Sequence, residues 1–436
     1  MVYDILIGRD SADMEKFGER GLAYIGKGYV KMGNYTSLSN KIWMDIARNH
    51  VILIAGKRGA GKSYTLSAIA EELTSLPLEN AKNIASLIFD TMGIFWTMKY
   101  KNEKDNALLS EWGLEAKELP VKVFVPFGKA EEYSKKNISY DSTFALLSSE
   151  LKAEDWITIF NLSITSLEGV LIERIINSLQ EKNQHFNILE IIKAIENDSI
   201  ASNEKKEIVS ALFMAADTWG IFARSREGTK ISDLINPGST TILDVSIYSS
   251  IGAFNIRALV ISLICRKIFM ERIDSRRKEE LDSIYHGQDY LAYKTTNQSP
   301  LIWIFIDEAH EFLPKEGKTP ATDALIQLLR EGRQPGISLV LATQQPGQIH
   351  RDVMTQSDIV ISHRITAKQD IDALNEIMQT YLLENIREQM DNLPSEKGSA
   401  IVLDDNSERI YSIRIRPKFT WHGGESPSSI KAEIKI

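Results

Sequence analysis

The sequence predicts an α/β fold with a mostly parallel sheet, and three observations support this fold class. Continuous apolar runs recur along the 436-residue chain, as expected for strands that are buried on both faces. Stretches with helical spacing separate most of these runs, which is the element order of a parallel sheet covered on both sides. A glycine-rich loop joins the first apolar run to the first of these helical stretches.

The apolar runs define the predicted strands. Their boundaries come from flanking polar residues, glycines and prolines. The predicted strands cover residues 51–55, 84–90, 121–127, 240–245, 301–306, 337–342 and 358–365, and a hairpin covers 399–416.

The chain divides into five predicted segments. Residues 1–50 are expected to form short strands or turns, too few for an independent domain. The first and second parts of the α/β core are predicted at 51–130 and 236–416. Between them, three- and four-residue apolar spacing predicts an inserted helical subdomain at 131–235, and 417–436 is a C-terminal tail.

A long helix is predicted at about residues 253–281, and its second half carries mixed charge. Arg272 and three further basic residues alternate there with acidic ones. Such mixed charge favours a solvated helix face over a nucleic-acid site.

Composition limits the class of protein. Because Cys265 is the only cysteine, no intrachain disulfide is possible, and a reducing, cytoplasmic location is expected. The apolar runs are too short for a membrane span, so no membrane association is expected. The net charge of −8 means that any DNA contact must be local, for example inside a ring.

The most specific motif is the glycine-rich loop at residues 56–63. It fits G-x-x-x-x-G-K-[ST] and lies between the run at 51–55 and a helical stretch, the context that a phosphate-binding loop requires. Its backbone N–H groups and the helix N-terminus favour phosphate, while Lys62 can neutralise the β- and γ-phosphates and Ser63 can hold Mg²⁺. The residues expected to bind ATP are Gly56, Gly59, Ala60, Gly61, Lys62, Ser63 and Tyr64.

An acid pair and an amide follow two later apolar runs. Asp307 and Glu308 end the run at 301–306, and ligands of parallel sheets lie beyond such carboxyl ends. We expect Asp307 to position Mg²⁺ or its water shell and Glu308 to polarise the water that attacks the γ-phosphate. Gln344 follows the next run and could sense the γ-phosphate or orient water, or could make an ordinary loop hydrogen bond. With the phosphate loop, these residues predict an ATPase.

Two arginines precede the run at 337–342. Arginine suits phosphoryl transfer because its planar fork stays charged and pairs with two phosphate oxygens. Arg330 or Arg333 could therefore act on a neighbouring subunit's nucleotide as an arginine finger. Equally, either could form a surface salt bridge with Asp323 or Glu331.

Taken together, these motifs resemble those of HerA-type ATPases in the HerA/FtsK superfamily. The resemblance covers about half of the chain and implies a RecA-like P-loop NTPase fold. The matching segments are 56–63, 304–312, 330–333, 341–346 and 414–424.

The resemblance also implies residue roles. Lys62 and Ser63 would bind the nucleotide and Mg²⁺. Asp307 would be the acid on the metal side, and Glu308 the catalytic glutamate. The remaining matches are Arg333 as the arginine that acts in trans, Gln344 as the sensor, and Asp90 as the acid after the second strand.

At the level of the assembly, the family implies a homo-hexameric ring that uses ATP to move double-stranded DNA through its pore. A nuclease partner, NurA-like or another effector, would place it in DNA end processing or phage defence. Two features depart from the family: only about 50 residues precede the phosphate loop, where HerA proteins usually carry a larger barrel, and His50 replaces the usual arginine before the first strand.

Two other functions compete with the translocase. One is an ATPase subunit that assembles or regulates an effector nuclease without unwinding DNA. The other is a coupling ATPase for conjugative DNA transfer, which would normally show membrane helices. DNA-stimulated ATP hydrolysis separates the translocase from the regulatory subunit.

Overall fold

A computed structural model describes residues 4–32, 35–182, 185–225, 227–249, 254–286, 299–378 and 386–424. The strands among these residues belong to one mixed sheet of 13 strands. The remaining predicted tail residues, 425–436, lie outside the described part of the chain.

The strands agree closely with the apolar runs that predicted them. Most boundaries differ from the prediction by no more than two residues. In chain order the strands are β1 (Ile5–Ile7), β2 (Leu22–Met32), β3 (Tyr35–Asp45), β4 (Val51–Ala55), β5 (Ile84–Asp90), β6 (Val121–Pro126), β7 (Ser142–Phe144), β8 (Thr240–Asp244), β9 (Leu301–Ile306), β10 (Ile337–Thr343), β11 (Ile359–His363), β12 (Ser399–Asp404) and β13 (Arg409–Ile415).

Helices fill most of the connections between these strands. Their lengths range from one turn to the long α11. They are α1 (Ser11–Phe17), α2 (Lys62–Thr74), α3 (Leu78–Ala81), α4 (Asn106–Glu111), α5 (Ala130–Lys135), α6 (Ala153–Ile159), α7 (Leu167–Lys182), α8 (Ile188–Glu196), α9 (Asn203–Asp217), α10 (Ile231–Leu234), α11 (Phe254–His286), α12 (Thr322–Glu331), α13 (Arg351–Gln356), α14 (Lys368–Met378) and α15 (Ile386–Asp391).

The sheet has a parallel body and an antiparallel side. Its strand order is β1-β3-β2-β13-β12-β11-β4-β10-β9-β5-β8-β6-β7. From β11 to β7 every neighbouring pair is parallel, whereas β11, β12, β13, β2 and β3 pair antiparallel. The α/β prediction, with a mostly parallel RecA-like sheet, is therefore confirmed.

The first 50 residues differ from the expectation of short strands. Strands β2 and β3 have 11 residues each, because they pair with each other as a long hairpin. Strand β2 also pairs with β13, which attaches the hairpin to the rest of the sheet. The N-terminal segment is thus an extension of the same sheet.

Two apolar cores lie on the two faces of the sheet. Alternate residues of β4 separate between them, with Leu53 in one core and Ile52 and Ile54 in the other. Helices α2 and α5 pack in the core of Ile52, whereas α6 to α12 pack in the core of Leu53. This is the two-sided burial that makes parallel strands continuously apolar.

The stretch predicted as a helical insertion contains most of α5, then α6 to α10, and the three-residue strand β7, which extends the sheet beside β6. Trp156 is fully buried there and packs against Phe213 and Phe222. The division of the chain into five segments stays a prediction. No helix in the described ranges combines the length and apolarity that a bilayer crossing needs.

Four charged residues join the N-terminal strands to the parallel body, and we call Arg9, Asp45, His50 and Asp358 the N-terminal seam. Arg9 Nε donates to Asp45 Oδ1 at 2.7 Å. The two ring nitrogens of His50 lie 2.6 Å from Asp358 Oδ2 and 3.1 Å from Asp45 Oδ2. The side chains of Arg9, Asp45 and His50 are at most 2% exposed.

Protonation of the seam follows from these contacts. Burial lowers the pKa of His50, but Asp358 and then Asp45 outweigh it and raise that pKa to about 9. Burial likewise raises the pKa of Asp45, but hydrogen bonds and charge from His50 and Arg9 outweigh it and leave that pKa lowered. His50, which stands where the family tends to carry an arginine, is therefore a cation at neutral pH.

Candidate active site at the phosphate loop

The predicted phosphate loop connects β4 to α2, the strand–loop–helix order that the motif requires. Gly61 precedes the first residue of α2 with φ 112°, a left-handed conformation that a side chain would strain. Gly56 passes so close to the neighbouring strand that an added Cβ would lie 2.8 Å from His363 Cβ. Both glycines are therefore required by the path of the loop, while Gly59 and Ala60 form its more exposed tip.

His363 of β11 packs against the phosphate loop beside Gly56 and Gly61, and it was not among the predicted site residues. Its Nε2 lies 2.8 Å from Thr65 Oγ1, and its Nδ1 lies 3.0 Å from the Ser399 carbonyl. Burial lowers the pKa of His363 to about 4, so the ring is neutral at physiological pH. The available signal was a polar residue near the end of the apolar run at 358–365.

Lys62 begins α2 with its side chain turned back toward the loop. Its Nζ donates to the Lys57 carbonyl at 3.3 Å, and the residue is 6% exposed. Burial lowers the pKa of Lys62, while the charges of Glu308 and Asp307 oppose that change. Lys62 is thus buried near two acids, although the tip of the loop is exposed.

The acid pair lies at the carboxyl end of β9, beside the loop. Ser63 Oγ donates to Asp307 Oδ2 at 2.5 Å, and Asp307 is 1% exposed. Burial raises the pKa of Asp307, although the hydrogen bond from Ser63 and the charge of Lys62 oppose the rise. The structure therefore brings together the two residues that the sequence assigned to the metal.

Glu308 has the left-handed backbone conformation, with φ 52°. A non-glycine residue in this region is uncommon and costs conformational energy, which is often found at functional sites. Its Oε1 accepts a hydrogen bond from Gln344 Nε2 at 2.5 Å, so Gln344 contacts an acid rather than making an ordinary loop bond. Glu308 Oε2 is buried and has no hydrogen-bond partner among the described residues.

Burial and the charge of Asp307 raise the pKa of Glu308 to about 7, although Lys62 opposes the rise. A carboxyl group with this pKa can accept a proton at neutral pH, as a general base must. The local geometry and protonation of Glu308 therefore suit the role that the sequence assigned to it.

His310 and Thr343 extend this cluster and were also missed. His310 Nδ1 lies 3.2 Å from Thr343 Oγ1 and 3.6 Å from Glu308 Oε2. Burial and the charge of Lys62 lower the pKa of His310, so a neutral ring faces the acid. His310 follows the acid pair in the sequence, but Thr343 reaches it only because β10 pairs with β9.

The C-terminal tail packs on α2 behind the loop. Glu71 of α2 is fully buried and accepts hydrogen bonds from Phe419 N at 2.9 Å and from Thr420 N at 3.0 Å, and it pairs with Arg416 at 3.0 Å. Tyr64 accepts a 2.7 Å hydrogen bond from the backbone N–H of residue 418. The tail thus contacts the helix that carries Lys62, Ser63 and Tyr64, three of the predicted nucleotide-binding residues.

The side chain of Asp90 forms hydrogen bonds to the turn that follows β5. Its carboxylate accepts hydrogen bonds from four successive backbone N–H groups, at residues 92–95, over 2.7–3.2 Å. Burial and the neighbouring Asp244 raise its pKa. The structure shows Asp90 shaping the chain after β5.

The two candidate arginines lie far from this cluster within the chain. Arg333 precedes β10, whereas Thr343 at the other end of that strand borders the site. At about 3.3 Å per residue, a strand of this length separates its ends by roughly 20 Å. Arg330 pairs with Asp352 at 2.7 Å.

The two salt-bridge partners suggested by the sequence were wrong. Asp323 pairs with Lys318, and Glu331 accepts a hydrogen bond from Gln327. Arg330 instead reaches α13, because that helix follows β10 and returns to the side of α12.

The donor set fits a magnesium nucleotide. A hydroxyl and a carboxylate, on Ser63 and Asp307, are oxygen ligands of the kind that Mg²⁺ accepts while keeping several waters. A buried ammonium group and the helix N-terminus suit phosphate oxygens. Glu308 Oε2, which is buried and accepts no hydrogen bond from the described residues, is available to a water in the site.

A comparison with known families decides the identity of this site. The model for the central domain of helicase HerA matches residues 30–268, more than half of the chain. The chain belongs to the HerA family. With its loop and acid pair, it is a P-loop ATPase of the HerA/FtsK type. A second model, for zonular occludens toxin, matches residues 254–371.

Individual HerA proteins are distant from this chain. The DNA double-strand break repair helicase HerA of Sulfurisphaera tokodaii is 22% identical over 340 residues, which are 76% of this chain and 58% of the relative. The HerA of Pyrococcus furiosus is 25% identical over 148 residues, 32% of this chain and 26% of the relative. The chain thus spans less than two thirds of either HerA protein.

The fold also matches a solved structure. VirB4 of Thermoanaerobacter pseudethanolicus superimposes with a TM-score of 0.59 at 11% identity, over 92% of this chain and 98% of that chain. This similarity extends well beyond the region of the HerA model and supports the RecA-like architecture of the whole described chain.

Proposed function

We propose that this HerA-family ATPase is a DNA translocase or helicase that works as a hexameric ring on double-stranded DNA. The observation that carries the ring is the position of Arg333. This arginine lies at the edge of the sheet opposite to the phosphate loop, so it can act on a nucleotide only in another subunit. DNA as the substrate is inferred from the HerA relatives, which are DNA double-strand break repair helicases.

The chemistry assigned to the chain is ATP hydrolysis. Lys62 neutralises charge on the β- and γ-phosphates. Ser63 and Asp307 would hold Mg²⁺, which would neutralise further phosphate charge when bound. Glu308 takes a proton from the attacking water, and Gln344 orients Glu308 through their hydrogen bond. A positively charged Arg333 from the neighbouring subunit stabilises the charge of the transition state.

Mixed assemblies test the assignment of Arg333. Arg333→Ala should lower turnover by about 10³ or more, the usual cost of losing a transition-state arginine. Glu308→Gln should lower it by about 10²–10⁴, the usual contribution of a general base. In mixed rings, a Glu308→Gln subunit supplies its arginine to the intact site of an Arg333→Ala subunit, so partial activity should return. Absence of recovery in rings with proven co-assembly would contradict the trans role.

DNA dependence tests the motor in the same preparation. Long duplex should increase ATP turnover by the assembled ring, and the effect should fall steeply with salt because phosphate contacts release counterions. If neither duplex nor single-stranded DNA changes turnover at low salt, an ATPase that regulates an effector nuclease becomes the better proposal. The NurA-like partner, the setting in DNA end processing or phage defence and the cytoplasmic location stay predictions.

A further inference from the structure

The turn that carries Arg333, residues 331–336, is held firmly by its own backbone. The N–H of Ile337 donates to the Gly332 carbonyl at 2.9 Å, which closes the turn between α12 and β10. Gly336 has φ 91°, and a Cβ there would lie 2.7 Å from Leu301 and 2.9 Å from Arg272. The turn therefore has little freedom to change its path.

One side of the turn is attached to the segment before the phosphate-loop strand. Asn49 Nδ2 donates to the Arg333 carbonyl at 2.9 Å. The next residue, His50, donates its backbone N–H to Ser338 Oγ at 3.1 Å and accepts from the backbone N–H of Leu339 at 2.9 Å. The Asn49 side chain thus connects the backbone of Arg333 to the start of β4, where the backbone of His50 is paired with β10.

The other side of the turn is attached to α11 through Arg272. The sequence predicted a solvated face for this part of the helix, but Arg272 is 2% exposed. Its Nε donates to the Pro335 carbonyl at 2.6 Å and its Nη1 to the Ser299 carbonyl at 3.0 Å. Arg272 Nη1 also lies 3.4 Å from Glu279 Oε1. Because two carbonyls and a carboxylate compensate its burial, the charge can lie inside the protein.

The side chain of Arg333 contrasts with its backbone. It is exposed, and none of the described residues forms a hydrogen bond or ion pair with its guanidinium group. A fixed backbone combined with a free guanidinium group is what a residue needs in order to contact a group on another molecule without reorganisation.

We propose that Asn49 and Arg272 are positioning residues that clamp the Arg333 carbonyl and the Pro335 carbonyl and so aim Arg333 at the nucleotide of the neighbouring subunit. This inference rests on the proposed function, because it assumes that Arg333 acts in trans. It also links the helix α11 and the start of β4 in one subunit to hydrolysis in the next. Neither residue touches the reacting atoms.

Non-additivity is the decisive test, with Asn49→Ala as the main variant because it removes a single exposed hydrogen bond. Small misplacements of a catalytic group cost up to about 10²-fold, so Asn49→Ala should lower kcat by about 10- to 100-fold with little change in KM. The double variant Asn49→Ala/Arg333→Ala should be no slower than Arg333→Ala, since residues that act through one another do not add. Additive losses would overturn the proposal.

Mixing identifies the site that is damaged. Asn49→Ala subunits should regain turnover in mixed rings with Glu308→Gln subunits, because the damaged arginine serves a neighbour rather than the subunit's own nucleotide. Failure to regain turnover, or a raised KM without recovery, would show that Asn49 acts on its own site and would overturn the proposal. Arg272→Lys keeps a donor for one carbonyl and should retain more turnover than Arg272→Met.

Two controls separate the clamp from the function on which it rests. Asn236→Ala removes a comparable 2.8 Å bond from a half-buried asparagine to a backbone carbonyl and should leave turnover unchanged. If Arg333→Ala turns over normally, both the trans arginine and the clamp are wrong. If Arg333→Ala is inactive while Asn49→Ala is normal, only the clamp is wrong.

Discussion

The N-terminal seam and the cluster of Lys62, Asp307 and Glu308, which we call the nucleotide edge, both consist of buried charged residues. They differ in how their carboxylates are compensated. In the seam, Asp45 faces Arg9 and His50, and its pKa is lowered. At the nucleotide edge, the pKa values of Asp307 and Glu308 are raised, because burial outweighs the charge of Lys62. The carboxylate of the seam is thus fully compensated by cations, whereas the two carboxylates of the nucleotide edge are not.

The difference separates a structural role from a functional one. A buried carboxylate with two cationic partners stabilises the fold, and removal of one member leaves the others uncompensated. A buried carboxylate without enough positive charge nearby is destabilised in its ionised form, so it favours binding of a cation or a proton, as a functional site requires. Substitutions should therefore affect stability in the seam and turnover at the nucleotide edge.

The largest effects are expected at the nucleotide edge. Lys62→Ala should lose ATP binding and turnover together, because the ammonium group acts on phosphate charge. Glu308→Gln should bind ATP almost normally and lose about 10²–10⁴ in kcat, the usual contribution of a general base. Equilibrium binding of a fluorescent ATP analogue, together with phosphate release, measures both quantities. Equal loss of binding in the two variants would refute these roles.

The melting temperature of the same Glu308→Gln protein tests whether the nucleotide edge contributes to stability as the seam does. It removes a carboxylate whose burial is not compensated, so its melting temperature should not be lower than that of the unmodified chain. A clear decrease would mean that Glu308 is part of a stabilising pair, like Asp45. Nucleotide must be left out of both samples, because a bound ligand would stabilise them unequally.

In the seam, Asp45→Asn should reduce the free energy of unfolding by about 3–5 kcal/mol, the usual result of breaking a buried ion pair. Arg9 and His50 would lose the carboxylate that they share. Urea unfolding followed by tryptophan fluorescence measures the change. A variant as stable as the unmodified chain would show that the seam is dispensable.

The pH dependence of the seam has a definite sign. His50 has a folded pKa of about 9, above its ordinary value of 6.5, so its contribution is complete below pH 6.5 and disappears as the pH rises through 9. The lowered pKa of Asp45 adds stability above its ordinary value of 3.8, and that contribution disappears as the pH falls below it. The stability difference between the unmodified chain and His50→Gln should therefore shrink from pH 6 to pH 9.5.

Local pattern was enough to predict the parallel body of the fold. Apolar runs such as 301–306 are buried on both faces, so periodicity and length identify them without knowledge of their neighbours. The proximity of the glycine-rich loop to Asp307 could be predicted for a related reason. The carboxyl ends of parallel strands lie on the same side of a sheet, so residues that follow two such strands are close together.

Residues that depend on pairing between distant segments could not be predicted in this way. His363 lies under the phosphate loop only because β11 pairs with β4. Arg272 is buried where Pro335 and Ser299 present carbonyls to it and Glu279 presents a carboxylate. The sequence around Arg272 has the mixed charge of an exposed helix face. Strand order and carbonyl positions, which no local spacing encodes, decide both cases.

The smallest effect is expected for Arg330, which shares its short sequence segment with Arg333 and is the matched control for it. Arg330 pairs with Asp352 on the surface, where solvent and salt screen the attraction, so Arg330→Ala should leave the melting temperature unchanged. Because its guanidinium group already has a partner within the chain, it should also leave turnover by the assembled ring unchanged. Steady-state phosphate release from Arg330→Ala and Arg333→Ala, prepared in parallel, measures the contrast. If Arg330→Ala loses turnover as severely as Arg333→Ala and regains it in mixed rings with Glu308→Gln, then Arg330 is the arginine that acts in trans, and its bond to Asp352 must break when the ring assembles.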